Sequence, residues 1–308
     1  MRRFILDTDA ASDDVVALIM ALRDESCKLE AITVVGGALP LPVGIVNARA
    51  AIEVADTYQP PVYAGMSKPL WRPAKTGEPA HGQDGLSDVG LSKTNLPLAQ
   101  GHAVDAILRL AREYDDLEII TIGPMTNIAM AIMLDMQTMK RVKGITAMGG
   151  QYRMMNDCTA NAEFNIWVDA EAADIVLQSG IPTTFVPLDA CYGKAEITRE
   201  DRETLLGLGT YCGEFIVKAN QKLLQYNIDF YDKDIISQPD PSAVACLLAP
   251  GVQLATRTAK ARVETKSALG YGQILYDFDT DEPHNVTLVT EIDGPAFKRY
   301  MFEIAGKK

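Results

Sequence analysis

Four aspartates lie within eight residues near the start of the chain, and this cluster restricts the possible folds and chemistry more than any other feature. The cluster consists of Asp7, Asp9, Asp13 and Asp14. The apolar run 4–6 before it predicts a short buried strand, and residues 15–23 have the apolar spacing of a helix. The acids therefore come where the carboxyl end of a strand turns into a helix, which is where open α/β sheets bind ligands.

The cluster has no base nearby to neutralise it. No lysine or arginine lies between Arg3 and Arg23. Packed carboxylates raise one another's pKa unless a cation lies among them. A hard divalent cation, which prefers oxygen ligands, would meet this need. The sequence therefore predicts a metal or catalytic site.

A second interpretation treats the same residues as a helix start. Ser12 would cap the helix, while Asp13 and Asp14 would complement the helix dipole. This interpretation leaves Asp7 and Asp9 without a role. The spacing does not fit an EF-hand, because the sixth position of such a loop is Ser12 rather than glycine.

The rest of the chain alternates short apolar runs with helical patterns. Further strands are predicted at 31–35, 117–122, 144–148 and 184–188, and further helices at 46–55, 126–134 and 170–178. This alternation predicts an α/β fold, a single domain over residues 1–308 with a mostly parallel, Rossmann-like central sheet flanked by helices. Two polar segments, 68–95 and 226–242, are predicted to be long functional loops.

Composition excludes several classes of protein. The net charge of −12 argues against binding to a nucleic-acid backbone. The five cysteines are scattered without a CxxC pair, which argues against a zinc site or a disulfide framework and favours a cytoplasmic location. The first apolar run is too short for a signal peptide, and no apolar stretch reaches the roughly 18 residues of a membrane span.

Two later motifs could take part in chemistry. His81 begins the segment His-Gly-Gln-Asp-Gly-Leu, where a histidine in a glycine-rich loop is mobile and available for proton transfer. The segment Gly-Pro-Met-Thr-Asn at 123–127 could offer a backbone carbonyl to a cation. Each motif alone is equally compatible with an ordinary surface loop or strand-to-helix turn.

Two more motifs carry polar side chains. Asn156, Glu163 and Asn165 suit the recognition of hydroxyl groups, since each can take part in hydrogen bonds, although a surface helix start would look similar. Asp240 lies between two prolines and is either a further metal ligand or the cap of a helix that follows.

Taken in order, these motifs resemble those of the nucleoside hydrolases, the inosine/uridine-preferring N-ribohydrolases, over nearly the whole chain. The aspartate cluster matches the family pattern DxDxxxDD. The later matches are the segments 81–86, 123–127, 148–150, 163–165 and 240–241. The resemblance implies a homodimer or homotetramer that hydrolyses the N-glycosidic bond of ribonucleosides with a tightly bound Ca²⁺ ion.

The resemblance also implies a role for each matched residue. The calcium ligands would be Asp9, Asp14, the Thr126 carbonyl and Asp240. The residues that bind ribose hydroxyls would be Asp13, Asn156, Glu163 and Asn165. Asp9 would in addition be the general base that takes a proton from the calcium-bound water.

The chain departs from the family pattern at the end of the site that faces the leaving base. Many members have a histidine before the late calcium aspartate, where this chain has Pro239, and an asparagine where it has Gly37. Proline cannot transfer a proton, so we expect His81 to protonate or polarise the leaving base instead. Tyr226 or Tyr231, in the predicted late loop, would contact the base.

One assignment depends on how the motif is counted. The segment before Glu163 is one residue longer than usual, so counting back from Glu163 points to Asp157 rather than Asn156. The spacing from Met148 favours Asn156, and we assign the ribose contact to it.

Two other functions fit parts of the sequence. In a phosphatase of the haloacid dehalogenase type, a strand followed by DxD would make Asp7 the nucleophile and Mg²⁺ the cofactor. That interpretation does not explain the later motifs. Alternatively, the loss of the usual histidine and asparagine would suit a Ca²⁺-dependent nucleoside-binding protein with little turnover.

Overall fold

A nine-stranded sheet forms the centre of the computed structural model, which describes residues 1–153 and 157–307. The strands are β1 (Arg2–Thr8), β2 (Cys27–Val34), β3 (Val62–Ala64), β4 (Leu117–Thr121), β5 (Gly144–Met148), β6 (Thr183–Val186), β7 (Gln253–Val263), β8 (Ile274–Asp277) and β9 (Val286–Ile292). Their order in the sheet is β3-β2-β1-β4-β5-β6-β9-β7-β8. All pairs from β3 to β9 are parallel, and β7 pairs antiparallel with both β9 and β8. The predicted α/β fold with a mostly parallel sheet is confirmed.

Helices cover both faces of this sheet. They are α1 (Ser12–Arg23), α2 (Leu41–Ala55), α3 (Glu78–His81), α4 (Ala103–Glu113), α5 (Thr126–Leu134), α6 (Met136–Met139), α7 (Phe164–Val168), α8 (Ala170–Gln178), α9 (Arg199–Gly207), α10 (Tyr211–Ala219), α11 (Gln221–Tyr231), α12 (Pro239–Leu248) and α13 (Gly294–Gly306). Among the residues that the structure describes, no helix has the length and apolar character needed to cross a membrane.

Strand β1 shows why the helices lie on two sides. Alternate side chains of a strand point to opposite faces. Phe4 and Leu6 are buried in a core with α1, α2 and α12, whereas Ile5 is buried in a second core with α4, α5 and α8. Because both faces are covered, the middle of the strand, residues 4–6, is apolar without interruption, as the sequence indicated.

The chain order reverses between β1 and β4. From β1 the sheet grows through β2 and β3 on one side and through β4, β5 and β6 on the other. Loops that follow two such neighbouring strands diverge and leave a crevice at the carboxyl ends, where ligands bind. The aspartate cluster begins at the end of β1 with Asp7 and continues into the first turn of α1, so it lies at this crevice.

The prediction of a long loop at 226–242 is wrong. Residues up to Tyr231 belong to α11, and α12 begins at Pro239. Leu223 and Asn227, four residues apart, are buried on one side of α11. Because most of the other residues of this helix are polar or exposed, its sequence shows only a weak helical pattern of apolar residues. The segment 68–95 is irregular as predicted, apart from α3.

Candidate active site

Four buried aspartates come together at the crevice. Asp9, Asp13 and Asp14 arrive from the β1–α1 turn, and Asp240 from the first turn of α12. Carboxylate oxygens of Asp13, Asp14 and Asp240 all lie within 4.8 Å of one another. Helices α1 and α12 pack against each other, which explains how residues more than 200 positions apart form one cluster.

The turn between β1 and α1 is held by its own polar groups. Ala10 has a left-handed backbone with φ of 59°, and its N–H donates to Thr8 Oγ1 at 2.9 Å. Asp14 accepts hydrogen bonds from the Thr8 hydroxyl and from the Ala11 N–H. The interpretation of Ser12 as the helix cap is wrong, because Ala11 holds the cap position and the Ser12 side chain bonds to His81 instead.

Asp7 lies behind the cluster and does not line the cavity. It is fully buried, and its Oδ1 accepts hydrogen bonds from Thr33 and from Asn127. A nucleophile must reach the substrate, so this placement contradicts the phosphatase interpretation, in which Asp7 attacks. Asp7 instead joins the ends of β1 and β2 to the start of α5.

Asp9 is positioned by the chain that follows β2. Its Oδ2 accepts a hydrogen bond from the Ala38 N–H. A β-carbon added at Gly37 would lie 2.1 Å from the same oxygen and 2.7 Å from Cδ of Pro124. Glycine at position 37 therefore leaves the space that the Asp9 carboxylate occupies.

The acids of the cluster bind protons more tightly than ordinary carboxyl groups. Burial and the charge of Asp14 raise the pKa of Asp9 well above its usual range. Burial and the charge of Asp13 do the same for the pKa of Asp240. Burial raises the pKa of Asp13 to about 6. Only oxygen donors meet here, and a hard divalent cation would relieve their mutual repulsion.

A cavity of about 420 Å³ opens over the aspartates, a size that suits a small organic molecule. It brings together these residues predicted from the sequence: Asp9, Asp13, Asp14, His81, Glu163, Asn165, Tyr226, Tyr231 and Asp240. It also contains residues that were not predicted: Ile122, Phe164, Trp167, Tyr192 and Asn227. No lysine or arginine is among the described lining residues.

Thr126 does not lie at this cavity, so its assignment as a metal ligand needs correction. It is the first residue of α5, and its hydroxyl donates to Asp169 at 2.7 Å. Backbone carbonyls of a helix point along the axis toward its C terminus, away from the crevice. Ile122, directly after β4, lines the cavity instead. The end of strand β4, rather than the start of helix α5, is the sequence feature that indicates the residue at the cavity.

Glu163 and Asn165 face the cavity from the start of α7. Glu163 is the N-cap and accepts hydrogen bonds from the N–H groups of Asn165, Ile166 and Gly150. The Asn165 amide donates to the Ile122 carbonyl at 3.0 Å. Burial and the charge of Asp157 raise the pKa of Glu163 to about 8.

Asp157 lines the cavity as well. Its Oδ2 accepts a hydrogen bond of 3.0 Å from the Phe164 N–H, and burial raises its pKa. Counting back from Glu163 therefore points to a polar residue that lies at this wall. Asn156, which we had preferred, lies outside the described residues.

Aromatic rings and His81 form another part of the cavity lining. Tyr226 contacts Phe230 and Tyr231 with ring centroids 4.6 and 6.0 Å apart. Both tyrosines lie on helix α11 rather than in a loop. His81 is the last residue of the short helix α3 rather than part of a loop, and burial lowers its pKa to about 4. The ring is therefore neutral at neutral pH.

Comparison with known proteins identifies the family. A family model for inosine-uridine preferring nucleoside hydrolases matches residues 4–299. The chain belongs to this family. An inosine-uridine preferring nucleoside hydrolase of Leishmania major is 32% identical over 92% of this chain and 90% of its own. The pyrimidine-specific ribonucleoside hydrolase RihA of Salmonella gallinarum is 30% identical over 95% of this chain and 94% of its own.

Solved structures of nucleoside hydrolases share the fold. A plant nucleoside hydrolase superposes with a TM-score of 0.93 at 24% identity and covers 100% of this chain and 99% of its own. A purine-preferring ribonucleoside hydrolase from Gardnerella vaginalis gives a TM-score of 0.91 at 26% identity and covers 99% of both chains. This family member is thus an N-glycosyl hydrolase that acts on ribonucleosides, and the resemblance found in its sequence is confirmed.

Proposed function

We propose that this nucleoside hydrolase depends on a bound Ca²⁺ ion and uses Asp9 as its general base. The observation that carries the proposal is the group of buried carboxylates, with oxygens of Asp13, Asp14 and Asp240 within 4.8 Å of one another. A set made only of oxygen donors in a loose arrangement suits calcium better than the softer transition metals. Asp9, Asp14 and Asp240 would hold the ion, together with the Ile122 carbonyl in place of Thr126.

The residues around the ion would divide the work of hydrolysis. When bound, a hard cation lowers the pKa of a water molecule and orients it. Asp9, fixed by the Ala38 N–H, takes a proton from the water that attacks the anomeric carbon. Asp13, Glu163 and Asn165 bind ribose hydroxyls, and we assign Asn156 to the same task.

The carboxylates have a second effect on the reaction. The bond between the sugar and the base breaks through a state in which the sugar carries positive charge. Buried carboxylates at fixed positions stabilise this charge electrostatically. The bonding electron pair stays with the base, which lies against Tyr226 and Tyr231 and is stabilised by His81. Because His81 is neutral, it polarises the base as a hydrogen-bond donor and does not act as a cationic acid.

The substrate class follows from the family and the cavity. The relatives are named for inosine-uridine, pyrimidine and purine preferences, so the proposal extends to ribonucleosides as a class. The resemblance also implies assembly into a homodimer or homotetramer, which light scattering on the purified chain would test.

A metal-depletion experiment tests the proposal. Ribose release from a panel of purine and pyrimidine ribonucleosides is measured before chelation, after exhaustive chelation and after return of Ca²⁺ or Mg²⁺. We expect activity to disappear on chelation and to return with Ca²⁺. Full activity in protein shown to be metal-free would refute calcium dependence, and release from no nucleoside at all would refute hydrolysis.

A further inference from the structure

Ser12 and His81 form a hydrogen-bonded pair, and the proposed mechanism does not yet use the serine. The distance between Ser12 Oγ and His81 Nδ1 is 2.8 Å. Ser12 is fully buried at the start of α1, whereas His81 is half-buried and lines the cavity. The serine thus lies behind the histidine, on the side away from the substrate.

The chemistry of the two groups decides which of them donates. A hydroxyl has one hydrogen and two lone pairs, and a neutral imidazole has one N–H and one acceptor nitrogen. Among the described residues, His81 Nδ1 is the one partner that the Ser12 hydroxyl has. If Nδ1 carried the proton, the buried hydroxyl hydrogen of Ser12 would have no acceptor, which is unfavourable. Ser12 therefore donates, and Nδ1 accepts.

This direction fixes the position of the ring proton. When Nδ1 accepts, the proton of a neutral imidazole is on Nε2. No protein partner for Nε2 is found among residues 1–153 and 157–307. Since Nδ1 faces the buried serine, Nε2 lies at the other edge of the ring, where the cavity is.

A polar network holds the serine in place. The Asn220 amide donates to the carbonyl of Ser12 at 3.5 Å and to that of Ile216 at 2.9 Å. Gln238 donates to Asn220 Oδ1 at 3.1 Å. Asn220 and Gln238 are both buried. The network ties the Ser12 backbone, at the start of α1, to the residue before Pro239, and the Ser12 side chain reaches His81 from this fixed position.

We propose that Ser12 is a positioning residue that fixes His81 as the Nε2–H tautomer, so that His81 donates a hydrogen bond to the leaving base. This inference rests on the proposed function. As the glycosidic bond breaks, its electron pair goes to the base, and the Nε2–H stabilises the negative charge that develops there. The base then takes its proton from solvent, and His81 remains neutral throughout. Ser12 thereby supports leaving-group stabilisation that Pro239 cannot give.

Kinetics on two classes of substrate test the proposal. Ordinary ribonucleosides have poor leaving groups, whereas the phenolate of a nitrophenyl riboside leaves without help. In Ser12→Ala, we expect kcat for nucleosides to fall at least about 10-fold, because a tenfold change corresponds to about 1.4 kcal/mol and a hydrogen bond to a developing charge contributes at least this much. The kcat for the nitrophenyl riboside should fall far less. Ser12→Thr, which keeps the hydroxyl, should retain most of the wild-type kcat for nucleosides.

Nitrogen NMR tests the tautomer independently of turnover. The chain has three histidines, so the ring signals of His81 are identified by their loss in His81→Asn. We expect Nε2 to be protonated in the wild-type protein and a mixture of tautomers in Ser12→Ala. Ser179→Ala is the matched control, because Ser179 is a buried serine that bonds only within its own turn, away from the cavity.

Three results would overturn the inference. The first is a proton on Nδ1 in the wild-type protein. The second is an equal fall in kcat on both substrate classes in Ser12→Ala. The third is an unchanged kcat on nucleosides in Ser12→Ala. The second result would show a merely structural role. If the wild-type protein cleaved no riboside, the proposed function would fail instead, and the NMR result would still decide the tautomer.

Discussion

The Asn127 amide donates a hydrogen bond of 2.8 Å to Oδ1 of Asp7, and this contact joins the end of β1 to the first turn of α5. Asp9 follows β1 and Ile122 lies between β4 and α5, so this contact links the two segments that we propose supply groups to the metal. Asp7 thus has a structural role beneath the cavity, although it opens the DxD sequence that first suggested chemistry.

Asp7→Ala should destabilise the fold. The substitution leaves the buried Thr33 hydroxyl and Asn127 amide without their acceptor, at about 1–3 kcal/mol each. We expect the free energy of unfolding, measured with urea, to fall by about 2–6 kcal/mol. Asp7→Asn, which keeps an oxygen at Oδ1, should lower the free energy of unfolding much less. Unchanged stability combined with lost turnover in Asp7→Ala would instead indicate a chemical role.

Asp9→Asn should keep the fold and lose most turnover. The neutral amide cannot accept the proton of the attacking water, and a positioned general base contributes about 10²–10⁴-fold to the rate. Circular dichroism and kcat measured on the same preparation check this. Asp105→Asn, at an exposed position in the first turn of α4, is the control for loss of one charge. Near-normal activity of Asp9→Asn would show that another group is the base.

The metal-free enzyme should lose stability as the pH rises. Asp13 has a pKa of about 6 in the folded chain, above the value of about 3.9 for an unfolded chain. The folded protein therefore binds this proton more tightly, and the resulting stability is fully present below about pH 4 and is lost as the pH rises through about 6.

A divalent cation should reverse this loss, because it stabilises the ionised carboxylates. We expect the increase in melting temperature caused by Ca²⁺ to be larger at about pH 8 than at about pH 5, by differential scanning fluorimetry. The Asp13→Asn variant should show a smaller dependence on pH. An increase that is the same at both pH values would mean that cation binding is not linked to these protons.

Nucleosides should be preferred strongly over their 5′-monophosphates. Six acids line the cavity, namely Asp9, Asp13, Asp14, Asp157, Glu163 and Asp240, and no lysine or arginine is among its described lining residues. A phosphate would meet a net negative charge, because the acids outnumber the two positive charges of the proposed Ca²⁺ ion. We expect kcat/KM to differ by at least about 100-fold, or about 2.7 kcal/mol. Asp157→Asn should reduce the difference in kcat/KM between nucleosides and their 5′-monophosphates. Equal kcat/KM values for the two substrates in the wild-type protein would refute the electrostatic argument.

Several features of the site could be predicted from sequence because their signals are local. The apolar run 4–6 and the acids that follow it lie next to one another in the chain, so they indicate a strand end and a ligand site without any knowledge of packing. The ordered motifs were enough to indicate the family, which the match over residues 4–299 confirms. Glu163 and Asn165 were found in the same way, and both line the cavity.

Other features depended on contacts between distant segments. Thr126 and Ile122 are equally plausible in sequence, and only the direction of α5 relative to β4 places Ile122 at the cavity. Tyr226 and Tyr231 were expected in a loop, because a helix with few buried residues has a weak apolar pattern. The space for Asp9 at Gly37 depends on how the chain after β2 packs beside β1.

The sequence by itself therefore determined the alternation of strands and helices, the position of the aspartates at a strand end and the family of the enzyme. Only the tertiary structure decided which groups meet across the crevice: Asp240 with Asp13 and Asp14, and His81 with Ser12. The physical reason is that local patterns reflect burial along a single element. Hydrogen bonds and charge clusters between elements depend instead on how helices pack on the sheet, which no short segment of the chain encodes.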